Sequence, residues 1–417
     1  MTMSKPRIAI FSPAPPVPSG ISDYIAELLP RLAGKLEIDL YLDSYETDHA
    51  ALKKAVRCLP VEGFRAEFKR NPYDLCVYHL GNASCHDYIY PYLYAFPGLT
   101  VLHDLSLHDT RLKTTIEGWR GEEYREEMAA AYGERGETAA ELALAGMHSS
   151  FLLRSFTLSE LPVRASVFTV VHEEWVAGKI SEAVPGAQVR SVPMGMDAAD
   201  VAPKQISAAR EKFGIPKDSF LVGTFGLLTP DKGIAMLLDA FARLLKQRPD
   251  ARLLLAGGVA KDLPLDAMIA ERRLLGLAIP TGRLPMDEFL TLMAACDVAV
   301  FLRWPTRRET SAAALRAMGL GTTTVVSDLA HLRDLPDDAV IKVPVVDTEH
   351  HLGRILYELV ENEPLRKRLG VTAKRYVAER HSWDAVVERW LELTYEAIEL
   401  AKTTEIDHSF LPAHLRQ

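Results

Sequence analysis

Two short segments of the sequence combine charged, hydroxyl and glycine residues at the ends of apolar runs. In the first segment, an apolar run is followed by residues 226–233, GLLTPDKG, which contain Lys232. In the second, Glu309, Thr310 and Ser311 stand at the start of an alanine-rich helix, which is predicted over residues 310–319. A lysine and the amides of a helix N-terminus suit a diphosphate, and a carboxylate suits the two hydroxyls of a ribose. Together, the two segments indicate a site for a sugar nucleotide.

The composition limits the classes of protein to which the chain can belong. Its 417 residues, 48% of them hydrophobic and 25% charged, are typical of a globular protein with two or three domains. A net charge of −8 argues against a general nucleic-acid-binding protein, which needs clustered lysine and arginine. The four cysteines form no CxxC pair, so we expect neither a zinc site nor a disulfide framework.

The elements that must position these residues follow from an alternation of short apolar runs and helical patterns. Strands are predicted at 7–12, 37–42, 75–79, 100–103, 167–171 and 188–192, and again at 220–226, 251–256, 297–302, 323–327 and 339–343. Strand–helix alternation at this spacing predicts an α/β fold with parallel sheets that are covered by helices on both faces.

Two such blocks predict two doubly wound domains. The first covers residues 1–197 and contains a helical insertion at about 108–161, and the second covers residues 198–382. Residues 383–417 begin with a long amphipathic helix, which we expect to pack back towards the first domain. Because ligands bind at the carboxyl ends of parallel strands, the residues that directly follow the predicted strands are the candidate site residues.

Seven short motifs stand at these strand ends and turns. They are Pro-Val-Pro-Ser-Gly20-Ile-Ser-Asp-Tyr24, Leu-His103-Asp104, Val171-His172, Val192-Pro-Met-Gly195-Met-Asp197, residues 226–233, Thr281-Gly282-Arg283-Leu284 and Glu309-Thr310-Ser311. Their order and spacing resemble those of retaining glycosyltransferases of the family 4 type, over nearly the whole chain. The resemblance implies the GT-B fold, in which two Rossmann-like domains face each other across a cleft. It also implies that the C-terminal domain holds a nucleotide sugar and that the N-terminal domain holds an acceptor.

The resemblance assigns roles to individual residues. The implied catalytic residues are His103, Asp104, Lys232 and Glu309, and the implied donor-binding residues are Gly20, Gly226, Lys232, Gly282, Arg283, Leu284, Glu309, Thr310 and Ser311. In this scheme Lys232 neutralises the diphosphate, Glu309 holds the ribose hydroxyls, and His103 faces the transferred sugar. Backbone groups at 282–284 contact the base, and the amides at 310 and 311 cap the sugar-phosphate end. A glycine at position 20 lets its loop approach the diphosphate closely, since a Cβ would stand in the way.

The chain departs from the family pattern at two positions. The arginine that usually stands five residues before the lysine is replaced by Leu227, and Arg303, Arg307 and Arg308 are the candidates for the missing cation. The family often has two glutamates eight residues apart, but the eighth residue after Glu309 is an alanine.

The candidate site residues can also be explained by a purely structural role. Lys232 suits a solvated turn, and Glu309 suits the first turn of a helix because of the helix dipole. His103 and Asp104 suit a hydrogen-bonded pair at a strand end. The other histidines near strand ends, His79, His86, His108 and His172, are interpreted as structural residues or as part of the acceptor rim. The glycine pair at 257–258 suits a tight turn.

These observations lead to one main prediction and to alternatives in other classes. The main prediction is a hexosyltransferase that moves a sugar from a nucleoside diphosphate to a saccharide or lipid-linked acceptor, with retention. Without a predicted metal or other cofactor, cations and helix N-termini must stabilise the leaving diphosphate. The resemblance implies front-face attack assisted by the departing phosphate. A GT-B nucleotide-sugar epimerase stays open, as does a catalytically silent GT-B module that binds a sugar nucleotide or a partner protein.

The sequence also favours a location. It shows neither a signal peptide nor an apolar run of membrane-spanning length, so we expect a cytoplasmic protein that binds no nucleic acid. Contact with the inner face of a membrane stays open, because the basic patch Arg65, Lys69 and Arg70 is short and suits a solvated surface.

Overall fold

The computed structural model describes residues 5–147, 149–197, 200–306 and 308–416. The described strands are β1 (Arg7–Phe11), β2 (Glu37–Leu42), β3 (Arg57–Pro60), β4 (Leu75–Leu80), β5 (Leu99–Leu102), β6 (Phe168–Val171), β7 (Val189–Ser191), β8 (Leu221–Phe225), β9 (Arg252–Ala256), β10 (Ala278–Gly282), β11 (Val298–Phe301), β12 (Thr323–Ser327) and β13 (Val340–Val343).

The described α-helices are α1 (Gly20–Leu32), α2 (Ala50–Ala55), α3 (Phe64–Arg70), α4 (Tyr90–Ala95), α5 (His108–Ile116), α6 (Gly121–Tyr132), α7 (Glu134–Leu144), α8 (Ser150–Ser155), α9 (Glu160–Arg164), α10 (Glu174–Ala183), α11 (Pro203–Lys212), α12 (Ile234–Leu244), α13 (Leu265–Glu271), α14 (Met286–Ala294), α15 (Ala312–Leu320), α16 (Thr348–Glu361), α17 (Glu363–Arg380) and α18 (Trp383–Ala401). None of these helices is both long enough and apolar enough to cross a bilayer.

The strands form two parallel sheets. In the first, of seven strands, the order is β3-β2-β1-β4-β5-β6-β7, and in the second, of six strands, it is β10-β9-β8-β11-β12-β13. The central strands β1, β4, β5 and β6 of the first sheet and β8, β11 and β12 of the second are buried along their whole length. Burial on both faces is typical of parallel sheets that are covered by helices on each side. The predicted α/β architecture is therefore confirmed.

The helices that follow the first strand of each sheet show why the sequence folds in this way. In α1 one apolar face is buried, since Ile25, Leu28, Leu29 and Leu32 are all at most 3% exposed. The side chain of Ser19 accepts a hydrogen bond from the amide of Ile21 at the start of the helix. Burial contributes about 1.5–3 kcal/mol for each such side chain, so the apolar stripe is the main reason that α1 packs on the sheet.

The contacts divide the described chain into two compact units. The first unit comprises the residues up to 193 together with 308–310 and 384–416, and the second comprises residues 194–306 and 311–383. Helices α5 to α8 belong to the first unit and enclose a small apolar cluster around Tyr124 and Met128. The observed boundary after residue 193 lies slightly before the predicted limit at 197.

Two short strands were not among the predicted elements. Strand β3 contains Pro60 and β10 contains Pro280, and each forms one edge of its sheet. Proline cannot donate a ladder hydrogen bond and is therefore confined to edges and bulges, and the register of β10 shifts between Pro280 and Gly282. Their patterns were weak because neither strand is an apolar run buried on both faces.

Candidate functional site

In the second unit, the loops that follow β8 and β11 lie where the strand order reverses. Strand β8 pairs with β9 on one side and with β11 on the other. Ligands of open parallel sheets bind beyond the carboxyl ends of the strands at such a switch point. The two loops are joined directly, since the amide of Trp304 donates to the carbonyl of Asp231 over 2.8 Å. The switch point therefore lies beside the turn Pro230–Lys232, which contains Lys232, the residue predicted to bind the diphosphate.

Lys232 extends its side chain over the main chain at the end of β8. Its Nζ atom lies 3.1 Å from the point that a Cβ on Gly226 would occupy. Gly226 has φ +107°, a conformation that other residues rarely adopt, so glycine is favoured here both by the backbone and by the ammonium above it. The predicted residues Gly226 and Lys232 are thus brought together.

The ends of β8, β9 and β10 contact one another through main-chain atoms. The amide of Gly226 donates to the carbonyl of Ala256 over 2.9 Å, and a Cβ on Gly257 would lie 2.1 Å from the oxygen of Gly226. Gly257 in turn pairs with Gly282 at the end of β10. The ends of β8, β9 and β10 therefore form a ledge of main-chain groups, which a ligand can approach closely.

Helix α12 begins directly after Lys232 and the cap residue Gly233. Gly233 occupies the cap position in a left-handed conformation, and no described side chain caps the helix. The amides of a first helical turn have no partners within the helix, and the helix dipole places partial positive charge there. A cation and oriented amides thus stand side by side, which is the combination that binds phosphate.

The other residues predicted around the diphosphate have different environments. Leu227, at the place of the family arginine, is 56% exposed. Arg303 is buried, and its Nη1 donates to the carbonyl of Leu302 over 2.8 Å. Arg307 lies outside the described residues. After β10, Arg283 is exposed and Leu284 is partly buried.

The segment 308–310 groups with the first unit instead of the second. There the hydroxyl of Thr310 donates to the carboxylate of Glu173, and the guanidinium of Arg308 lies 5.9 Å from the centre of the Trp175 ring. The structure therefore assigns Glu309 and Thr310 to a different unit from Lys232. Local sequence patterns contain no signal for this division, because all three residues follow strands of the second sheet.

Ser311, the next residue, belongs to the second unit. It is the N-cap of α15, and its side chain accepts from the amide of Ala314 at 3.4 Å. The prediction that this helix begins at Thr310 is wrong, since it begins at Ala312. The difference arises because serine is a strong N-cap residue, and a cap lies outside the helix that it terminates.

In the first unit, the strand order reverses between β1 and β4, and α1 begins beyond the end of β1. Gly20 is the first residue of α1. A Cβ on Gly20 would meet no described atom within 4 Å. Packing within the unit therefore does not require glycine at this position, and its role towards a donor stays a prediction.

Three buried histidines at neighbouring strand ends form a continuous hydrogen-bonded chain. His172 Nδ1 lies 2.9 Å from the carbonyl oxygen of Val192. His172 Nε2 lies 3.0 Å from His103 Nδ1, and His103 Nε2 lies 2.9 Å from His79 Nδ1. Because a carbonyl only accepts, His172 donates from Nδ1, and in neutral rings the direction of the next two bonds is then fixed. His103 donates to His172 and accepts from His79.

The environment disfavours the protonated forms of His79 and His103. Burial, followed by repulsion from His172, lowers the pKa of His79 to about 3. The same causes lower the pKa of His103 well below its ordinary value. Both ring nitrogens of His103 are used within the chain of histidines, so a contact between this ring and a sugar would have to replace one of those bonds. Its role towards the sugar stays a prediction. Sequence reasoning noted each histidine but not their association, since 24 and 69 positions separate the bonded pairs.

A polar cluster lies next to this chain of histidines. The carboxylate of Asp104 accepts from the amide of Asn82 over 2.7 Å. The side chain of Asn82 donates to Asp109 over 2.7 Å, and Arg154 pairs with the same carboxylate at 3.1 Å. The carboxyl edge of the first sheet therefore presents donors and acceptors that suit a hydroxyl-rich ligand.

Comparison with known families identifies the second unit. Residues 205–376 match the family described as Glycosyl transferases group 1. The second unit contains a group 1 glycosyl transferase domain. The match runs from α11 into α17, so it includes all six strands of the second sheet together with Gly226 and Lys232. The family resemblance predicted from the sequence is confirmed.

Curated glycosyltransferases are similar to the chain over part of its length. It is 28% identical over 238 residues to a D-inositol 3-phosphate glycosyltransferase of Saccharomonospora viridis, covering 55% of this chain and 54% of that protein. It is 30% identical over 223 residues to a phosphatidyl-myo-inositol mannosyltransferase of Mycobacterium tuberculosis, covering 51% of this chain and 55% of that protein. The chain thus spans about half the length of the curated relatives it matches.

Solved structures resemble the chain over nearly its whole length. A sucrose-phosphate synthase from Thermosynechococcus elongatus has a TM-score of 0.69 at 18% identity, and the match covers 94% of this chain and 99% of the synthase chain. Anabaena HepE in complex with UDP and glucose has a TM-score of 0.66 at 16% identity, and the match covers 94% of this chain and 100% of the HepE chain. At such low identity the likeness shows the fold, and the predicted GT-B fold with two Rossmann-like domains is confirmed.

Proposed function

We propose that the chain is a retaining glycosyltransferase that moves a hexose from a nucleoside-diphosphate sugar to a saccharide or lipid-linked acceptor. The observation that carries the proposal is the ammonium of Lys232 above Gly226, beside the uncapped N-terminus of α12. A cation and oriented amides at one strand end suit the two phosphates of a donor. The match of this same region to the glycosyl transferase family supports the proposal.

Lys232 would act on the leaving group. As the bond between the sugar and the phosphate breaks, negative charge develops on the diphosphate, and a fixed cation stabilises that charge more than it stabilises the bound donor. Leu227 supplies no charge at the position of the family arginine, so a larger share of this stabilisation would depend on Lys232 and on the amides of α12. No metal or other cofactor is part of the proposal.

The remaining donor contacts follow the family resemblance. Backbone groups at 282–284 would hold the base, and Glu309 would hold the ribose hydroxyls. For the acceptor, the names of the relatives point to inositol compounds, one carrying a phosphate and one a lipid. These compounds are therefore the first acceptors to test, and the polar edge around Asn82 and Asp104 would receive their hydroxyls.

Donor binding can be tested by the shift in thermal unfolding on addition of UDP, GDP or ADP and their sugars. A ligand at a hundred times its dissociation constant stabilises the folded state by about 2.7 kcal/mol. We expect one nucleoside diphosphate to raise the melting temperature clearly more than the others. If none of them raises it, the proposed donor site is wrong.

A single substitution tests the role of Lys232. In Lys232→Ala we expect kcat/KM for the stabilising donor, measured by release of its nucleoside diphosphate, to fall about 100-fold, the scale of one preorganised charge contact. The matched control is Lys261→Ala, because Lys261 is an exposed lysine in the loop after β9 of the same unit. Equal activity of the two variants would mean that the donor diphosphate lies elsewhere.

A catalytically silent module is the second candidate, and Leu227 at the place of the family arginine is the observation that favours it. Such a module would bind the nucleotide and lose this binding in Lys232→Ala, but it would release no product from any donor. Binding and turnover measured on the same preparation therefore distinguish the two functions.

A further inference from the structure

The second unit has a groove on its surface between the end of α12 and helix α16. The volume of this groove is about 560 Å³, which falls within the range of roughly 300–1,000 Å³ that is usual for small-molecule sites. We call it the α12–α16 groove and define it by six polar residues that line it, namely Arg243, Gln247, His350, His351, Arg354 and Glu358.

Contacts between the two helices bring the basic side chains of this groove together. The guanidinium Nη1 of Arg243 lies 3.4 Å from His350 Nδ1, and the centres of the His350 and His351 rings are 5.9 Å apart. A Cβ on Gly353 would lie 3.7 Å from Arg243 Cδ, so the stem of this arginine lies beside α16. Arg354 directly follows Gly353 and lines the same groove. Two guanidinium groups and two imidazole rings therefore share one concave surface.

The protein itself does not neutralise the two arginines of the groove. Among the described residues, neither Arg243 nor Arg354 forms an ion pair with a carboxylate. Glu358 is the one carboxylate among the described lining residues, and it is exposed. The charged residues beside the groove in the sequence do not line it, and these are Lys246, Asp347 and Glu349. The hydrogen-bond donors of both guanidinium groups are therefore left for a ligand.

These donors suit a phosphate group. A guanidinium presents several N–H groups in one plane, which match the spacing of phosphate oxygens. Because a guanidinium only donates, His350 Nδ1 accepts from Arg243, and in the neutral ring the Nε2 atom then carries a hydrogen that a phosphate oxygen can accept. A bare phosphate ion is much smaller than the groove, and the side chains of Gln247 and Glu358 can accept hydrogen bonds from hydroxyl groups.

The groove is separate from the diphosphate site proposed above. Helix α12 begins with Ile234 near Lys232, and Arg243 lies in its last turn, about 14 Å further along the helix axis at 1.5 Å per residue. We propose that the α12–α16 groove binds a small organic phosphate that carries hydroxyl groups, such as a sugar phosphate, and that Arg243, His350 and Arg354 hold its phosphate. This inference goes beyond the proposed transferase activity and does not depend on it.

Calorimetric titration of the full chain with glucose 6-phosphate tests the proposal, with glucose and inorganic phosphate as reference ligands. We expect glucose 6-phosphate to bind at least about tenfold more tightly than either reference, because only this ligand combines a phosphate with hydroxyl groups. In the double variant Arg243→Gln/Arg354→Gln we expect its affinity to fall at least about tenfold, since two charge-assisted contacts are lost. Hydrogen exchange should show new protection at the end of α12 and the start of α16 when the ligand is added.

The matched control is Arg368→Gln/Arg375→Gln, which removes the same charge from two exposed arginines on α17 of the same unit. We expect this control and Lys232→Ala to bind glucose 6-phosphate like the unchanged protein, and both double variants should keep its melting temperature. An equal loss of affinity in the two double variants would reduce the binding to general charge attraction and overturn the proposal.

Other results would also overturn it. One is that glucose 6-phosphate does not bind, and another is that its affinity is unchanged in Arg243→Gln/Arg354→Gln. A loss of binding in Lys232→Ala alone would place the ligand at the diphosphate site instead of the α12–α16 groove. Equal affinities for inorganic phosphate and glucose 6-phosphate would show that the groove does not recognise the organic part of the ligand.

Discussion

Gly20 is a residue at which a role towards a ligand can be separated from a role in packing. A Cβ at this position would meet no described atom within 4 Å, whereas a Cβ on Gly98 would lie 2.1 Å from the backbone oxygen of Cys76. Both glycines are close to the first sheet, but only Gly98 is fixed by the protein's own atoms. Substitution at the two positions therefore has different expected consequences.

In Gly20→Ala we expect the free energy of unfolding to change by less than about 0.5 kcal/mol, as for an uncrowded surface position. We expect donor turnover to fall at least about tenfold if the loop approaches the diphosphate, a cost of about 1.4 kcal/mol. Gly98→Ala is the contrast, because the clash with Cys76 should lower the melting temperature clearly. Chemical denaturation and donor hydrolysis measure the two effects separately. A large loss of stability in Gly20→Ala would show that Gly20 is structural.

Among the secondary-structure elements, the strand ends of the first sheet show what the sequence could and could not reveal. Period and apolar content predicted the buried strands, and the rule for parallel sheets predicted which ends would carry polar residues. The pairing of His79 with His103, and of His103 with His172, depends on the lateral order of β4, β5 and β6. Lateral order is decided by packing between distant segments, so local sequence patterns do not contain it.

Two buried histidines, His79 of the chain of histidines and His86, whose Nδ1 lies 2.9 Å from the carbonyl oxygen of His79, make the stability depend on pH. The folded pKa is about 3 for His79 and, because of burial, about 4 for His86, both below the ordinary value of about 6.5. The unfolded chain therefore takes up protons that the folded protein excludes. This contribution is fully present above pH 6.5 and is lost as the pH falls from there towards the folded values.

We expect the melting temperature to fall as the pH is lowered from about 6.5 to about 4. The fall should be less steep in His86→Asn, because this substitution removes one of the side chains that take up a proton on unfolding. His49→Asn is the control, because His49 is not among the buried histidines and caps the short helix α2, as asparagine also can. Calorimetric scans at a series of pH values measure the slope. Equal slopes for His86→Asn and the unchanged protein would mean that His86 takes up no proton on unfolding.

For the molecule as a whole, the main feature is that residues 384–416 complete the first unit. Within α18, Trp390 is buried, and its indole Nε1 donates to the hydroxyl of Tyr24 on α1 over 2.9 Å. The amphipathic pattern predicted this helix, and the two blocks of alternating strands and helices predicted two domains. The unit to which residues 308–310 belong was beyond prediction, because it depends on contacts such as that of Thr310 with Glu173.

Removing the indole should destabilise the first unit. In Trp390→Ala we expect a loss of about 3–5 kcal/mol, the usual cost of deleting a large buried side chain. The control is Tyr395→Ala on the same helix, where the side chain is 48% exposed and the change should stay within about 0.5 kcal/mol. Hydrogen exchange reports the two units separately, and amides of β1 and β4 should lose protection in Trp390→Ala. Unchanged protection there would show that α18 contributes little to the first unit.

The return of the chain to its first unit has a consequence for biosynthesis. A ribosome makes the seven strands of the first sheet long before it makes α18, and the whole second unit is translated in between. Domains made early usually fold early, during translation. Here the surface that receives Trp390, which includes Tyr24 and His79, stays uncovered until translation is almost complete. The first unit is therefore the first to leave the ribosome and the last to be completed. While it lacks α18, it is most exposed to chaperones and to aggregation.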